Sequence, residues 1–512
     1  MPGMLKKERR GKETANKEMK LTLITPRQGN EKEKNIYDYR YVAQFIFSKA
    51  YSGYLLAIPT LAALTPPDVE IKIVDENIEP IDFDAPTDLV GISVRTMFAK
   101  QAYEIASRFR ERGVKVVLGG IHTSMLPEEA SQYADSIVIG EAEGVWQELL
   151  QDFKDNRLQK VYKRTFHPDL TQCPMPDRSL LKNNKYLLHI VQTTKGCPFF
   201  CEFCSVHAFD GTKIRHRSLD QAINDIKETQ KDGIRERKKA IFFADDNIVA
   251  DRKYAKLFFK ELIPLEISWS CQASLNVAKD DEILKLMAES GCGGILIGFE
   301  SISEDNLRQM NKKINLTQDF SQAIQRIHSH GILVQGSFIV GHDNDTSETF
   351  QKLADFINTN NVLFALISIL TPFPGTGLFK RMEMEGRLLN KDWEKYDSKT
   401  VVFKPKNMTP LELKKGFIHV YREVYSFKSI YRKLKYFWKR DFWKDQNRRN
   451  PIKFKYRILF ALRLLTYLSL RDFERMKFIF KILPWVFDKR VRLTTIITLM
   501  AYNDYAYSLR EE

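Results

Sequence analysis

The residues with the clearest chemistry are three cysteines within eight positions. Cys197, Cys201 and Cys204 have the spacing C-x3-C-x2-C and follow an apolar stretch at 187–191. Thiolates are soft ligands that select zinc, copper(I) or iron–sulfur clusters. Three closely spaced thiolates can hold three irons of a cubane and leave the fourth iron open, where it can bind a small molecule and pass it an electron. The spacing therefore favours a catalytic iron–sulfur cluster.

Zinc and a disulfide are the alternatives for the same cysteines. A structural zinc site needs four ligands, and His207 could supply the fourth. Such sites are usually built from two separated ligand pairs, whereas these thiols fall within one short loop. A disulfide is disfavoured because the chain has 6 cysteines in 512 residues and begins without an export signal. Outside the triad, Cys271 and Cys292 flank predicted strands and are expected to pack as small hydrophobic residues.

Length and composition limit the class of protein. The 512 residues predict two or three domains, and 43% hydrophobic residues with a mean hydropathy of −0.35 predict a soluble chain with ample core material. A net charge of +15 favours anionic partners. No run of 18 apolar residues predicts a membrane span. Residues 1–19 are predicted to be a disordered basic tail, and the few cysteines predict a reducing, cytoplasmic setting.

An α/β domain is predicted over residues 20–150. Apolar residues recur at helical spacing within 100–112, and Gly113 stands where such a helix would end. Short apolar segments alternate with helices, which predicts a doubly wound parallel sheet whose ligands bind beyond the carboxyl ends of the strands. The predicted strands are 21–24, 71–74, 89–94, 114–118 and 137–139.

A partial (β/α)6 barrel is predicted over residues 186–400, after a linker at 151–185. Barrel enzymes place their chemistry at the carboxyl ends of the strands, and polar residues follow each predicted strand here. Each has a plain structural alternative, since 245–247 could cap a helix and 343–345 could form a turn. The predicted strands after the cysteine loop are 240–243, 267–271, 294–299, 332–340 and 363–369.

The cysteine spacing, with the aromatic Phe203 before the last cysteine, resembles the radical S-adenosylmethionine (SAM) superfamily. The resemblance implies a 4Fe-4S cluster on Cys197, Cys201 and Cys204, whose open iron is chelated by SAM. It also implies reductive cleavage of SAM to methionine and a 5′-deoxyadenosyl radical. The SAM-binding residues that it implies are Phe203, Asp245, Asp246, Asn247, Glu300, Ser301 and Gly341.

The loops of the first domain resemble the cobalamin-binding domain that precedes the barrel in one large class of this superfamily. The order of Gly-Gly-x-His-x-Ser at 119–124 and Gly-Glu-x-Glu at 140–143 carries the resemblance. The D-x-H-x-x-G motif of the wider cobalamin-binding family is absent, so base-off cobalamin without a histidine ligand is expected, with His122 as a loop residue near the corrin. The implied cobalamin-binding residues are Arg27, Ser93, Arg95, Thr96, Gly119, Gly120, His122, Thr123, Ser124, Gly140, Glu141 and Glu143.

A basic, mainly helical extension is predicted over 401–512. The segments 392–397 and 421–426 resemble the extension of enzymes in this class that modify lipids such as hopanoids. Residues 428–492 carry about 20 Lys or Arg against about 5 acids, interleaved with aromatics, and the stretches 458–470 and 478–487 are apolar. A helical cap on the barrel and a helix on an anionic membrane surface are both compatible with this pattern, and nucleic-acid binding is disfavoured.

Three functions follow from these resemblances. The first is a cobalamin-dependent radical SAM enzyme that methylates an unactivated carbon of a small-molecule or lipid substrate. The second uses the same cofactors for cyclisation or oxidation, and the third is a non-enzymatic cobalamin-binding sensor. Either enzyme would need an external electron donor such as flavodoxin or ferredoxin, and the basic C-terminal region would supply peripheral contact with a membrane.

Overall fold

The computed structural model describes residues 19–27, 53–164, 166–231, 240–449, 454–466 and 472–509. These residues form two compact units. The first contains 19–27, 55–168 and 174–181, and the second contains 53–54, 169–173 and 182–509.

The first unit is built on a parallel sheet of six strands. The strand order is β2-β1-β3-β4-β5-β6, so the direction of winding reverses between β1 and β3, where ligands bind in doubly wound folds. The strands are β1 (Met19–Thr25), β2 (Val69–Asp75), β3 (Leu89–Ser93), β4 (Lys115–Gly119), β5 (Ser136–Ile139) and β6 (Val161–Lys163). The helices are α1 (Ala57–Leu64), α2 (Ala99–Glu111), α3 (Ile121–Met125), α4 (Pro127–Tyr133) and α5 (Trp146–Lys154).

The apolar periodicity of α2 explains how the sheet is covered. Ala102, Ile105, Ala106 and Phe109 are all buried, and Gly113 takes a left-handed φ of 79° just after the helix. The helix prediction and the five strand predictions of this domain are therefore confirmed.

The first unit is longer than the sequence predicts. Its predicted end at residue 150 falls inside α5, and β6, from the predicted linker 151–185, pairs with β5 as the sixth strand. This strand has only three residues, of which only Tyr162 is buried, so it carries too little apolar periodicity to be recognised.

The second unit contains the partial barrel. Its six parallel strands lie in the order β14-β13-β12-β11-β10-β7, following the chain without reversal, which confirms the predicted (β/α)6 architecture. The strands are β7 (His189–Val191), β10 (Ile241–Phe243), β11 (Trp269–Ala273), β12 (Cys292–Glu300), β13 (Leu333–Val340) and β14 (Phe364–Ile369), with a separate antiparallel pair β8 (Thr194–Lys195) and β9 (Arg215–His216). The helices of the barrel are α6 (Val206–Phe209), α7 (Leu219–Lys231), α8 (Arg252–Leu262), α9 (Asp281–Ser290), α10 (Glu304–Gln309), α11 (Lys313–Leu316), α12 (Phe320–Ser329), α13 (Ser347–Thr359) and α14 (Gly377–Met384).

The C-terminal helices close one open edge of the barrel. The hydroxyl of Tyr425 accepts from the Ala365 N–H at 2.7 Å and donates to its carbonyl at 2.8 Å, and Tyr421 bonds both backbone groups of Ile367 in the same way. These bonds satisfy backbone groups of the edge strand β14 that would otherwise be open to another chain. The helices are α15 (Pro410–Val424), α16 (Phe427–Trp438), α17 (Lys444–Arg449), α18 (Phe454–Thr466), α19 (Phe473–Ile482) and α20 (Leu493–Ser508).

The helical character predicted for the C-terminal region is confirmed. Part of the apolar stretch 458–470 lies outside the described residues, since positions 467–471 are not among them. Among the residues that the structure describes, every helix is too short or too polar to span a bilayer.

Candidate active site

The cysteine loop begins at the carboxyl end of β7 and is fixed on both sides. The β8–β9 pair flanks it, and the Cys197 N–H donates to the carbonyl of Gly211 at 3.2 Å. Gly196 has a φ of 94°, and a Cβ there would lie 2.6 Å from the carbonyl of Lys213. Glycine is therefore required at the entrance to the loop.

The three thiols lie in a partly closed environment. Cys201 is 5% exposed, and Cys197 and Cys204 are half-buried. Burial raises the pKa of all three thiols, that of Cys204 to about 12. Because metals bind the thiolate, the site needs a compensating positive charge or the metal itself to deprotonate these cysteines.

Lys312 supplies that charge, and sequence reasoning missed it. Its side chain is 14% exposed, and its positive charge lowers the pKa of each of the three thiols against the effect of burial. Although burial opposes its own charge, Glu300 and the thiols of Cys201 and Cys204 raise the pKa of Lys312. No local signal distinguishes it from its exposed neighbour Lys313, since only the packing after β12 turns one of the two lysines inward.

The three thiols lie on one short loop that follows β7. Thiolates spaced in this way can each bind a different iron of a cubane. Phe203, between the second and third cysteines, is half-buried against the hydrophobic core of the barrel and so anchors the loop.

Glu300 stands at the carboxyl end of β12 in a strained conformation. It is 6% exposed, has a φ of 64°, and its Oε1 lies 3.2 Å from the Nζ of Lys312. A Cβ on Gly298 would lie 2.1 Å from that oxygen, so glycine leaves the space in which the carboxylate sits. Left-handed backbone at a residue other than glycine costs roughly 1–3 kcal/mol and concentrates at functional sites.

Asp245 and Asp246, which were predicted to bind SAM, hold the cysteine loop in this structure. Asp245 is fully buried and accepts hydrogen bonds from the backbone N–H and the hydroxyl of both Thr193 and Thr194, with the two hydroxyl bonds at 2.7 Å. Asp246 accepts from the Gly196 N–H at 3.0 Å. Burial, with Asp210 nearby, raises the pKa of Asp246 to about 7. Both carboxylates are positioning groups.

Asn247 and Ser301 likewise tie strand ends together. Asn247 exchanges hydrogen bonds with Ser274 at the end of β11, at 3.0 and 3.1 Å. Ser301 accepts from Asn306 at 3.2 Å. These bonds fix the orientation of both side chains at the ends of β11 and β12.

Gly341, at the end of β13, has a φ of 98°, and its N–H donates to Asp345 at 2.8 Å. The other oxygen of Asp345 accepts from Asn306 at 2.7 Å, so one bridge connects the ends of β12 and β13. Next to it, His342 is 4% exposed, and burial lowers its pKa.

An ion-pair relay fixes the cysteine loop to the end of β13. Arg381 binds Glu202, which lies between two cluster cysteines, through two bonds of 2.7 and 3.0 Å, and donates to Asp343 at 2.9 Å. Arg387 donates to the other oxygen of Asp343 at 2.7 Å. Although burial raises the pKa of Asp343, its bonds to Arg387, Lys406 and Gln309 hold that pKa below its usual range. A planar guanidinium can bond one carboxylate through two N–H groups while it donates to a second carboxylate, and the ammonium group of lysine lacks this fork of donors.

Breaking this relay is expected to loosen the cluster. Arg381→Ala should weaken the affinity of the cysteine loop for iron by about 10- to 100-fold, the range for loss of an outer-shell partner. Less iron should therefore be retained after anaerobic reconstitution. Arg381→Lys should restore it only in part. Iron content and the absorbance of the cluster are the measurements. The adjacent exposed Lys380→Ala is the matched control, and equal iron retention by Lys380→Ala and Arg381→Ala would contradict the relay.

In the first unit, the predicted cobalamin-binding loops line the carboxyl ends of β3, β4 and β5. Ser124 donates to the carbonyl of Gly120 at 2.8 Å and accepts from the N–H of Gly140 at 2.9 Å, and Thr123 bonds the carbonyl of Gly119 at 3.2 Å. Of the remaining predicted residues, Arg27 forms an ion pair with Glu76. Arg95 is exposed, and its guanidinium lies 5.4 Å from the centroid of the Phe98 ring. Thr96 is buried, whereas Ser93 and Glu143 are half-buried.

One prediction in this unit is corrected. His122 is not a loop residue, because it lies in α3, is fully buried, and has its Nε2 3.0 Å from the Tyr103 hydroxyl and 3.4 Å from Glu129. Its side chain therefore faces the interior. The carboxylate of Glu141 is held by His167, whose Nδ1 lies 2.8 Å away, a partner that sequence reasoning missed because it lies 26 residues later.

Gly120 is expected to be essential to these loops. It has a φ of 93°, and a Cβ there would lie 2.8 Å from the carbonyl of Val94. Gly120→Ala should therefore cost more than the roughly 1–2 kcal/mol of a left-handed alanine and lower the cobalamin content. Gly113→Ala is the control, because that glycine is also left-handed but a Cβ would meet nothing within 4 Å. Cobalamin absorbance after reconstitution is the measurement, and equal content in the two variants would refute the expectation.

Two family models match the chain. Residues 191–357 match the radical SAM superfamily, and residues 376–512 match a domain of unknown function, DUF4070. The first match begins at the last residue of β7 and includes the cysteine loop. The second begins at Thr376, just before α14, and covers the C-terminal helices.

Three curated relatives share most of the chain's length. Bacteriochlorophyllide d C-12(1)-methyltransferase of Chlorobaculum tepidum is 35% identical over 388 residues, which are 74% of this chain and 84% of the relative. Hopanoid C-2 methylase of Rhodopseudomonas palustris is 31% identical over 348 residues, 65% of this chain and 64% of the relative. Anaerobic magnesium-protoporphyrin IX monomethyl ester cyclase of Rubrivivax gelatinosus is 27% identical, covering 71% of this chain and 69% of the relative.

A solved structure shows the same fold. The cobalamin-dependent S-adenosylmethionine radical enzyme OxsB with aqua-cobalamin bound superposes with a TM-score of 0.61 over 96% of this chain and 79% of that chain, at 14% identity.

Proposed function

The chain belongs to the cobalamin-dependent radical SAM family, and from that membership we propose that it methylates an unactivated carbon of a small-molecule or lipid substrate. It is a radical SAM enzyme whose cofactors are a 4Fe-4S cluster, SAM and cobalamin. When bound, these cofactors supply an electron, a 5′-deoxyadenosyl radical and a transferable methyl group. The observation that supports methyl transfer is the 35% identity to a methyltransferase over 74% of the chain.

The chain's own residues hold and orient these groups. Cys197, Cys201 and Cys204 would hold the cluster on a loop that Asp245 and Asp246 fix from beneath. The positive charge of Lys312 offsets the negative charge of the thiolates, and it could also attract a carboxylate such as that of SAM.

We propose that Glu300 accepts from the ribose hydroxyls of SAM and that the backbone at Gly341 lies along the adenine. A carboxylate suits neighbouring hydroxyls because it accepts two hydrogen bonds at once. The proposed SAM site also includes Phe203, Asp246, Asn247 and Ser301, with Asp245 holding the cysteine loop beside it.

For cobalamin, we propose contact with the glycine loops at the carboxyl ends of β3, β4 and β5. Gly120 lies against the backbone of Val94, and a Cβ on Gly140 would meet nothing within 4 Å, so these loops leave room for a bulky planar ligand. The inward orientation of His122 supports base-off cobalamin without a histidine ligand. Ser93, Arg95, Thr96 and Glu143 complete the proposed contacts, with Arg27 at the edge.

Ring closure or oxidation is the second candidate, favoured by the 27% identity to a cyclase. A non-enzymatic cobalamin-binding sensor is disfavoured, because the named relatives are enzymes and the three cysteines are present. We also propose an external donor such as flavodoxin or ferredoxin, a cytoplasmic setting, and contact of the C-terminal region with a membrane surface.

The products formed by the reconstituted holoenzyme test the proposal. With dithionite, methylation should yield 5′-deoxyadenosine together with S-adenosylhomocysteine, and a substrate heavier by one methylene. Ring closure or oxidation should yield 5′-deoxyadenosine alone and a substrate lighter by two hydrogens. Lipid profiling of a deletion strain supplies the substrate to test, and a missing methylated lipid would identify a lipid substrate.

A further inference from the structure

Helix α18 presents an apolar face to solvent. Phe454, Ile458 and Leu462 recur every four residues and are 65%, 42% and 57% exposed. On the opposite side Arg457 is 6% exposed and donates to the carbonyls of Val486 and Asp488 at 2.6 and 3.1 Å. The helix also buries Phe460, Ala461 and Leu464, so apolar side chains occupy both its buried and its exposed sides, whereas the exposed side of a surface helix in water is polar.

Helix α19 adds an aromatic and basic face. It buries Phe478, Ile479 and Ile482, whereas Phe473 and Phe480 on the other side are 63% and 60% exposed. Between these two rings stands Lys477, whose Nζ lies 4.2 Å from the Phe473 ring centroid.

The two helices are connected by exposed aromatic contact. Phe487, which follows the turn after α19 and is 44% exposed, has its ring centroid 6.0 Å from that of Phe454 at the start of α18. The exposed apolar residues of α18 and α19, together with Phe487, form the apolar face: Phe454, Ile458, Leu459, Leu462, Phe473, Phe480 and Phe487.

The apolar face lies in the most basic part of the chain. Residues 428–492 contain 20 Lys or Arg and 5 Asp or Glu, an excess as large as the net charge of the whole protein, +15. Cations next to exposed aliphatic and aromatic side chains are the composition of helices that lie in a bilayer interface.

We propose that the apolar face inserts into the surface of an anionic lipid bilayer, with α18 lying in the membrane plane. These residues would form the membrane contact proposed above for the C-terminal region. The inference rests on that part of the proposed function and is independent of methyl transfer. The 13 residues of α18 span about 20 Å, short of the roughly 30 Å hydrocarbon core, so the helix lies along the bilayer and does not cross it.

Charge and chemistry favour a bilayer over the other possible occupants. Nucleic acid would match the positive charge and stack on the aromatics, but it offers no apolar environment to Ile458, Leu459 and Leu462. A second copy would cover the apolar face but would bring two strongly basic surfaces together. Acyl chains accept the aliphatic side chains, and anionic headgroups accept the lysines and arginines.

Vesicle co-sedimentation of the reconstituted holoprotein tests this directly. The protein should bind vesicles of equal parts phosphatidylglycerol and phosphatidylcholine, and bind pure phosphatidylcholine at least about tenfold more weakly. Raising the salt concentration to about 1 M should weaken the anionic binding, because screening acts over only about 3 Å there.

Variants of the apolar face supply the second arm. Phe454→Ser with Leu462→Ser should weaken binding at least about tenfold, since burying one such side chain contributes roughly 1.5–3 kcal/mol, of which each 1.4 kcal/mol is a factor of ten. Phe166→Ser with Leu257→Ser is the matched control, because those side chains are 63% and 46% exposed outside the C-terminal region. It should bind like the parent. Lys477→Glu with Lys481→Glu tests the charge without changing the apolar residues.

Several results would overturn the proposal. Equal binding to both kinds of vesicle, unchanged binding by the Phe454 and Leu462 variant, or tight duplex DNA binding in place of vesicle binding would each do so. A dimer that dissociates in that variant, without vesicle binding, would assign the face to a second copy. Cleavage of SAM with dithionite, measured on the same samples, separates this from catalysis: loss of methyl transfer with vesicle binding intact contradicts only the proposed reaction.

Discussion

Cys201→Ala is expected to abolish reductive cleavage of SAM. The thiol is 5% exposed in the middle of the cysteine loop, and alanine leaves one iron of the cluster without its ligand. The loss should exceed the roughly 10- to 100-fold that follows removal of an outer-shell partner. Formation of 5′-deoxyadenosine with dithionite and the iron content after reconstitution are the measurements.

The fold should survive this substitution, which makes the result interpretable. The backbone next to Cys201 is held by bonds that do not involve its side chain: Glu202 donates to the carbonyl of Met310 at 3.0 Å and accepts from Leu378 at 3.0 Å. Cys173→Ala is the matched control, because Cys173 is a buried cysteine of the same unit outside the triad. SAM cleavage by Cys201→Ala at the parental rate would overturn the assignment of the cluster.

Lys312→Met is expected to cause the second largest loss. Methionine keeps the length of the side chain but removes the charge that compensates Glu300 and the three thiols. A buried carboxylate left without its partner costs roughly 3–5 kcal/mol. The cluster should also become harder to reduce, because an added electron is no longer stabilised by a nearby cation. At an effective dielectric constant of about 20 this lowers the reduction potential by tens of millivolts or more.

The neighbouring lysine provides the control for charge. Lys313 is exposed, so Lys313→Met removes the same charge from the sequence without removing it from the site, and the reduction potential should stay at the parental value. Lys312→Met combined with Glu300→Gln should recover folding stability and, because it also removes a negative charge beside Cys201, restore part of the potential. Spectroelectrochemical titration gives the potential and thermal unfolding gives the stability. A parental potential in Lys312→Met would show that the lysine does not act on the cluster.

The sequence by itself determined the cysteine triad, the two parallel sheets and the positions of their strands. These features are local, because ligand spacing, strand-length apolar runs and helical periodicity are all contained within short windows. The strands of the barrel lie within a few residues of their predicted positions. The edge strand β6 was not predicted, because three residues, of which only one is buried, carry no periodic signal.

Only the tertiary structure decided which polar residues face the site. Asp245 follows a barrel strand as a ligand-binding residue would, yet its hydrogen bonds hold Thr193 and Thr194, ahead of the cysteine loop. Lys312 has no motif at all, yet its charge acts on all three thiols. Sequence places a residue at the end of a strand, but the direction of its side chain depends on partners that lie 12 to 179 positions away, as in Lys312 with Glu300 and Arg381 with Glu202. Such partners meet only when the barrel closes, because burial makes an unpaired charge costly and so selects the one arrangement in which each is paired.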